Sequence, residues 1–243
     1  MPARADPVRS SRRALRVGGL TPLSLTDYPG CLSAVVFCQG CPWRCGYCHN
    51  PHLLPARAAA EIAWSDILSF LRRRRGLLDA VVFSGGEPLA QPGLADAMRA
   101  VRQLGFRIGL HTGGAYPSRL AQVLPRVDWV GFDIKASFAE YARITTVRGS
   151  GDRARESAKL LLAGGVTHEF RTTIHPRQHD AHGIEHLAGQ LAELGVRNYV
   201  LQEFRTDGCT DEALLHDLPE SFLTESWCAR VAPKFDSFTV RRA

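Results

Sequence analysis

Four cysteines fall within one short window, Cys38, Cys41, Cys45 and Cys48, and the last three are spaced C-x3-C-x2-C directly after an apolar run, Leu32 to Phe37. Thiolates so spaced ligate iron–sulfur clusters or zinc. Three of them can hold three irons of a cubane and leave the fourth iron open, whereas four close the site. Cys38-x2-Cys41 and Cys45-x2-Cys48 also have zinc-ligand spacing. The window alone therefore leaves three readings: an open cluster, a closed electron-transfer cluster and a zinc knuckle. Seven cysteines, an odd number with four crowded together, fit reduced thiols and a metal site better than a disulfide framework.

A second segment, Ser84-Gly85-Gly86-Glu87-Pro88, follows another apolar run. Two glycines permit close backbone approach, and free amides and carbonyls at a strand edge can grip an ammonium and a carboxylate; the alternative is a surface turn. His111-Thr112-Gly113-Gly114 and Asp133-Ile134-Lys135 end two further runs. For Asp133 and Lys135 the choice lies between a site and a mutual ion pair. Arg171, among Phe170, Thr172 and Ile174, needs an anion, either a ligand carboxylate or Glu169 or Glu203. Gln202 has the donors and acceptor to bind ribose hydroxyls. His175, His179, His182 and His186 are spaced like metal ligands on a helix, but Pro176 and Gly183 break that helix and predict solvated histidines instead. Arg72 to Arg75 read as a solvated helix end favoured by the helix dipole.

These residues hang on a repeating frame. Six apolar, β-branched or aromatic runs recur: Leu32–Phe37, Ala80–Ser84, Phe106–His111, Asp128–Ile134, His168–Ile174 and Asn198–Phe204. Between them lie helical patterns: about Ser65, as N-cap, to Arg75; Leu94 to Leu104 with Gly105 behind it; one capped by Asp152 and ending at Gly164-Gly165; and Gly183 to Leu194. Strand–helix repetition with near-continuous apolar strands predicts an α/β fold with a helix-covered parallel sheet. Six units are too few for the eight-stranded barrel. The expectation is a partial, open six-stranded parallel βα barrel with its site at the C-terminal strand ends. Residues 31–204 form its core, and 205–243 add a helix, about Glu220 to Val231, and a short strand, Phe238–Arg241.

The formal charge of +6 is local: Arg4, Arg9, Arg12, Arg13 and Arg16 against Asp6 carry +4 of it. Residues 1–17 read as a disordered basic arm ahead of a single domain, 18–243, and not as a specific nucleic-acid surface. The apolar runs are too short for a membrane span, and no secretory h-region is evident, so the expected location is cytoplasmic.

Cys41-Pro-Trp-Arg-Cys45-Gly-Tyr47-Cys48-His-Asn-Pro resembles the signature of radical S-adenosylmethionine (SAM) enzymes, and Gly85-Gly86-Glu87-Pro88 resembles their segment for the methionine moiety. The resemblance implies an open barrel of the radical SAM type. It also implies one [4Fe–4S] cluster on Cys41, Cys45 and Cys48, whose open iron chelates SAM and whose electron cleaves the sulfonium bond to give a 5′-deoxyadenosyl radical. It places Tyr47, Gly85, Gly86, Glu87, Thr112, Asp133, Lys135, Arg171 and Gln202 around that cofactor. From Gly18 to Arg241 the chain resembles the activases of glycyl-radical enzymes. The match is best to the longer activating proteins of anaerobic ribonucleoside-triphosphate reductase, through Gly18-Gly19-Leu20, Leu25 to Gly30, Cys48-His-Asn-Pro, Asp133-Ile134-Lys135, Arg171-Thr172-Thr173 and Leu201 to Phe204. The implied partners are that reductase and a flavodoxin- or ferredoxin-type electron donor. A formate-lyase-type activase and a small-molecule radical enzyme such as a deazapurine synthase are the alternatives.

The chain departs from the family pattern at Cys31 and Cys38. A fourth thiolate would deprive SAM of its iron, so Cys38 is expected to be a bystander. Cys38→Ala should retain a reducible cluster and cleave SAM, while Cys41→Ala should not. Anaerobic reconstitution followed by assay for 5′-deoxyadenosine tests this, and an inactive but normally folded Cys38 variant would refute it.

Overall fold

The computed structural model describes residues 14–216, 218–219 and 222–242. One sheet of eight strands runs in chain order: β1 (Val17–Ser24), β2 (Ser33–Cys38), β3 (Ala80–Gly85), β4 (Arg107–Thr112), β5 (Trp129–Asp133), β6 (Thr167–Ile174), β7 (Asn198–Glu203) and β8 (Ser237–Arg241). β1 is antiparallel to β2, and every later pair is parallel. Among the described residues β1 and β8 stay unpaired with each other, so the sheet is open. The six expected strands are β2 to β7, and the expected tail strand joins the same sheet beside β7. β1 was not expected: its Gly18, Gly19 and Pro22 disguise a strand that an edge position tolerates.

Side-chain alternation sorts the sheet into two faces. Ala34, Val36 and Cys38 share one apolar cluster with Val81, Phe83, Ile108, Leu110, Val130, Phe132, Phe170 and Leu201. To this face the helices bring their stripes: α1 (Trp64–Arg73) Ile67 and Leu71, α2 (Leu94–Gln103) Met98 and Val101, α3 (Pro117–Val123) Leu120, α4 (Tyr141–Thr145) Tyr141, α5 (Ser150–Ala163) Leu161, α6 (Ala181–Glu193) Leu187 and Leu191, and α7 (Glu225–Val231) Val231. On the inner face Val35, Val82 and Trp129 meet Tyr28 and Cys31 from the loop after β1. The rings of Tyr28 and Trp129 lie 5.4 Å apart. Because both faces are covered, the strands read as continuous apolar runs.

Helix ends depart from expectation in detail. α1 starts after Ala63, so Ser65 lies inside its first turn, where its carbonyl accepts from the Ser69 hydroxyl. Gly149, with φ 72°, precedes α5, leaving Asp152 in the first turn, where a negative charge suits the dipole. Asp180 caps α6 by accepting from the Gly183 amide, and Thr224 caps α7; Glu220 lies outside the described residues.

The expected arm of residues 1–17 lies mostly outside the described residues, but its last residues are packed into the domain. Leu15 and Val17 are buried in the main core, and Arg16 pairs with Glu61. Arg4, Asp6, Arg9, Arg12 and Arg13 lie outside the described residues. Leu15→Ala is expected to lower stability by about 2–4 kcal/mol in urea unfolding. A change near zero would return that residue to the arm.

Candidate active site

At the C-terminal strand ends a cavity of about 190 Å³ is lined by Cys41, Cys45, Tyr47, Cys48, Gly85, Gly86, Glu87, Thr112, Asp133 and Lys135, together with Trp43, His49, Asn50, Leu54, Ser84, His111, Gly113 and Thr173. Ten of the expected site residues thus meet at one place. Cys38 does not: it is fully buried in the helix-facing core, and burial drives its thiol pKa far up.

The cysteine loop is held by backbone. Gly86 donates to the Cys38 carbonyl at 3.0 Å and Glu87 to the Gly40 carbonyl at 2.9 Å. A Cβ on Gly85, whose φ is +113°, would stand 2.4 Å from the Cys38 nitrogen, and one on Gly86 would stand 2.5 Å from the Gly40 oxygen. The two glycines are therefore required first by contact with the cysteine loop itself. Glu87, 2% exposed, accepts from the Thr112 hydroxyl (2.7 Å), the Leu89 amide (3.0 Å) and the Gly113 amide (3.1 Å), tying the β3 end to the β4 end. Trp43 lies against Gly113, where a Cβ would come within 2.2 Å of its ring, and meets Tyr141 edge-on at 5.6 Å.

The tail crosses the other side of the loop. Cys209 and Leu214 pack with Tyr47, Ala136, Ile144 and Phe204. His49 stacks on Phe204 at 5.4 Å and sits 3.0 Å from the Arg205 carbonyl. A Cβ on Gly208 would strike the His49 carbonyl at 2.2 Å. Residues 205–215 thus form a strap over the cysteine loop.

Charge is concentrated on the inner face. Asp133 lies 2.9 Å from Arg171 Nε and 3.7 Å from Lys135 Nζ. Burial works against its carboxylate, but Arg171 and then Lys135 prevail and hold its pKa at about 2. Lys135 also loses hydration, yet Asp133 and the thiols of Cys45 and Cys48 keep its pKa above the usual lysine value. Its ammonium lies 6.0 Å from the Tyr47 ring centroid. Burial, then Arg171, brings His111 down to about 4, so neutral His111 donates Nε2–H to the Asp27 carbonyl at 2.8 Å. Burial followed by Glu87 pushes the Cys41 thiol up to about 12, so a metal bound there displaces a proton.

Two expected residues fall outside the lining. Arg171 is buried beneath it, with Asp133 and Glu169 as its anions, in place of a ligand carboxylate or Glu203. Gln202 pairs in register with Thr173 and Arg241 but is not among the residues that line the cavity. Leu54 and Thr173 were missed: Leu54 has no local signal, whereas Thr173, two positions on from Arg171, shares its face and lies nearer the strand's end, which strand periodicity could have shown. The histidine expectation is also corrected. His182 and His186 are exposed on α6, but His175 and His179 are buried, because the turn at Pro176 tucks both rings beneath neighbouring segments.

The fit to a three-thiolate cluster with a chelated ligand rests on three observations. Three thiols, and not the fourth, face one cavity. The Tyr47 hydroxyl, buried in its lining, has no hydrogen-bond partner among the described residues. An ammonium stands beside Cys45 and Cys48 to balance negative charge.

Residues 35–188 match the model of the Radical SAM superfamily. A Methanocaldococcus jannaschii protein named for glycyl-radical enzyme activation is 30% identical over 206 residues, 81% of this chain and 82% of that protein. The pyruvate formate-lyase-activating enzyme of Clostridium pasteurianum is 34% identical over 49% of this chain and 52% of its own. Among solved structures, QueE from Escherichia coli superposes with TM-score 0.56 at 16% identity, covering 98% of this chain and 99% of QueE. Streptococcus suis SuiB bound to its precursor peptide gives 0.65 at 14% identity, covering 84% of this chain but 47% of SuiB. These structures share the fold. Among the described residues no helix is long and apolar enough to cross a membrane.

Gly85→Ala is expected to destabilise the protein by at least about 2 kcal/mol, since it adds both a clash and an unfavourable φ. Gly189→Ala, on a helix with open space around its Cβ, should be neutral or stabilising by about 0.5–1 kcal/mol. Urea midpoints of the two variants decide the matter, and equal shifts would contradict it.

Proposed function

The chain belongs to the radical SAM superfamily, with glycyl-radical enzyme activating enzymes among its relatives, and we propose that it is itself an activase that places a radical on a backbone glycine of a partner enzyme. Bound at this site, a [4Fe–4S] cluster and SAM supply one-electron cleavage of a sulfonium bond and the means to remove a hydrogen atom from a carbon centre. The observation that carries the reading is the division of the four cysteines: Cys41, Cys45 and Cys48 face the cavity opposite Gly85 and Gly86, while Cys38 is in the core.

The protein's own contributions follow from the geometry. Cys41, Cys45 and Cys48 would hold three irons, leaving one position for the ligand. The Ser84 to Gly86 backbone and Thr112 would meet the amino-acid end of SAM. Lys135 offers the ammonium nearest a carboxylate or the cluster's charge. Tyr47, with its unpartnered hydroxyl, is a wall with one polar contact to give. Glu87 and Arg171 are positioning residues: the first fixes the β4 end, the second fixes Asp133.

We take the partner to be anaerobic ribonucleoside-triphosphate reductase, on the likeness of the Cys48-His-Asn-Pro and Asp133-Ile134-Lys135 segments to its activating proteins, with a flavodoxin or ferredoxin as cytoplasmic reductant. The relatives named for pyruvate formate-lyase favour a second reading, activation of that enzyme. The reconstituted, reduced protein, mixed anaerobically with SAM and each enzyme in turn, should give a glycine-centred paramagnetic signal on the reductase. A signal on formate-lyase alone would transfer the assignment. Release of 5′-deoxyadenosine with neither signal would point to a small-molecule substrate.

A further inference from the structure

Residues His175-Pro176-Arg177-Gln178-His179 join β6 to α6 in one tight turn, the His175 carbonyl accepting from the Gln178 and His179 amides at 2.9 Å each. Neither histidine has a place in the chemistry above, yet both are buried, His175 completely. A buried imidazole is unfavourable unless both nitrogens are satisfied. Here both are, in the same sense. His179 Nδ1 accepts the His175 amide at 3.1 Å, and its Nε2 lies 2.8 Å from the Lys135 carbonyl. His175 Nδ1 accepts the Arg177 amide at 3.1 Å, and its Nε2 lies 2.9 Å from the Leu214 carbonyl. A nitrogen that accepts a backbone N–H carries no proton, so each ring is neutral and donates through Nε2–H.

The two donors reach different walls of the cavity. His179 holds the end of β5, whose Lys135 lines the site, and its ring lies 5.9 Å from that of Tyr47. His175 holds the strap through Leu214, which packs with Tyr47, and meets Phe204 edge-on at 4.8 Å. His179 also lines a larger neighbouring cavity of about 530 Å³, between the segment after β5 and the start of α6. Its imidazole therefore stands between that space and the Lys135 backbone. Without the Nε2–H bond, the Lys135 carbonyl loses this donor and the β5 end gains room to shift away from the site.

We propose that the His175–His179 turn is a positioning device, in which His179 fixes Lys135 and His175 fixes the strap so that the cavity keeps the width SAM needs. The role rests on the reading of this cavity as the SAM site. Neither histidine touches the cofactor; both act through the backbone they hold.

Two substitutions at residue 179 separate positioning from simple structural support. In His179→Gln the terminal amide nitrogen can replace Nε2 as donor to Lys135. In His179→Asn the side chain keeps an acceptor near the Nδ1 position but is too short to reach Lys135. SAM binding to the reconstituted, oxidised protein, measured by equilibrium dialysis, should stay within about threefold of wild type for the Gln variant and weaken about tenfold for the Asn variant. In the cluster-free protein, hydrogen exchange over residues 134–140 should quicken for Asn and not for Gln. Two variants that both bind SAM as wild type does, or that weaken equally, overturn the positioning role alone. Wild-type protein that fails to bind SAM overturns the reading of the cavity, and this role with it.

Discussion

Two backbone hydrogen bonds, from Gly86 to the Cys38 carbonyl and from Glu87 to the Gly40 carbonyl, dock the second βα unit onto the cysteine loop. That contact leaves no room for a Cβ at either glycine. Its effect spreads outward. Once its backbone is pinned, Glu87 turns its carboxylate to Thr112 and Gly113 at the β4 end, and Gly113 in turn seats the Trp43 ring that projects from the cysteine loop. The chain of contacts closes on itself, from loop to β3 to β4 and back to the loop. A thiolate site carried on a loop gains from this closure a rigidity that the loop alone would lack.

The inner face adds a second constraint, which is electrostatic. The half-buried carboxylate of Asp133 is held ionised by Arg171 at hydrogen-bond distance and then by Lys135, and Arg171 is balanced further by Glu169. Glu169 receives both guanidinium nitrogens of Arg241, at 2.9 and 3.0 Å, from the last strand. Opposite charges thus alternate from β8 to the cavity's edge, and Lys135 ends the series nearest the thiols. Arrangements of this kind add little net stability after desolvation, but they narrow the positions a side chain can occupy. For Asp133 and Lys135 that narrowing matters more than the energy.

How much could be read from sequence follows from which forces act locally. The six strands from Ser33 to Glu203 were legible because burial on both faces makes each a continuous apolar run. β1 was not, since an edge strand tolerates the glycines and proline that mark a loop elsewhere. Parity along β2 already separates Cys38 from the loop: it shares a face with Ala34 and Val36, which the helices cover. On β6 parity puts Arg171 and Thr173 on the same inner face, and it is position along the strand that brings Thr173 to the cavity in place of Arg171. Burial of His175 and His179 had no such local signal, because the carbonyls that accept from them belong to residues 135 and 214, distant in sequence.

The match to the family model ends at residue 188, so β7, the strap, α7 and β8 lie beyond it. Yet these parts are built into the site. Leu214 and Cys209 close one side of Tyr47, Phe204 stacks on His49 directly after the last cysteine of the loop, and Arg241 neutralises Glu169. The cysteine loop and glycine segment are common ground for radical chemistry on very different substrates, because the fold and its cofactor set the reaction without choosing what is attacked. The strap and the final strand surround that ground from outside the matched segment. On the proposed activase reading, features that select a partner are to be sought where the C-terminal extension borders the cavity, more than among the three thiols.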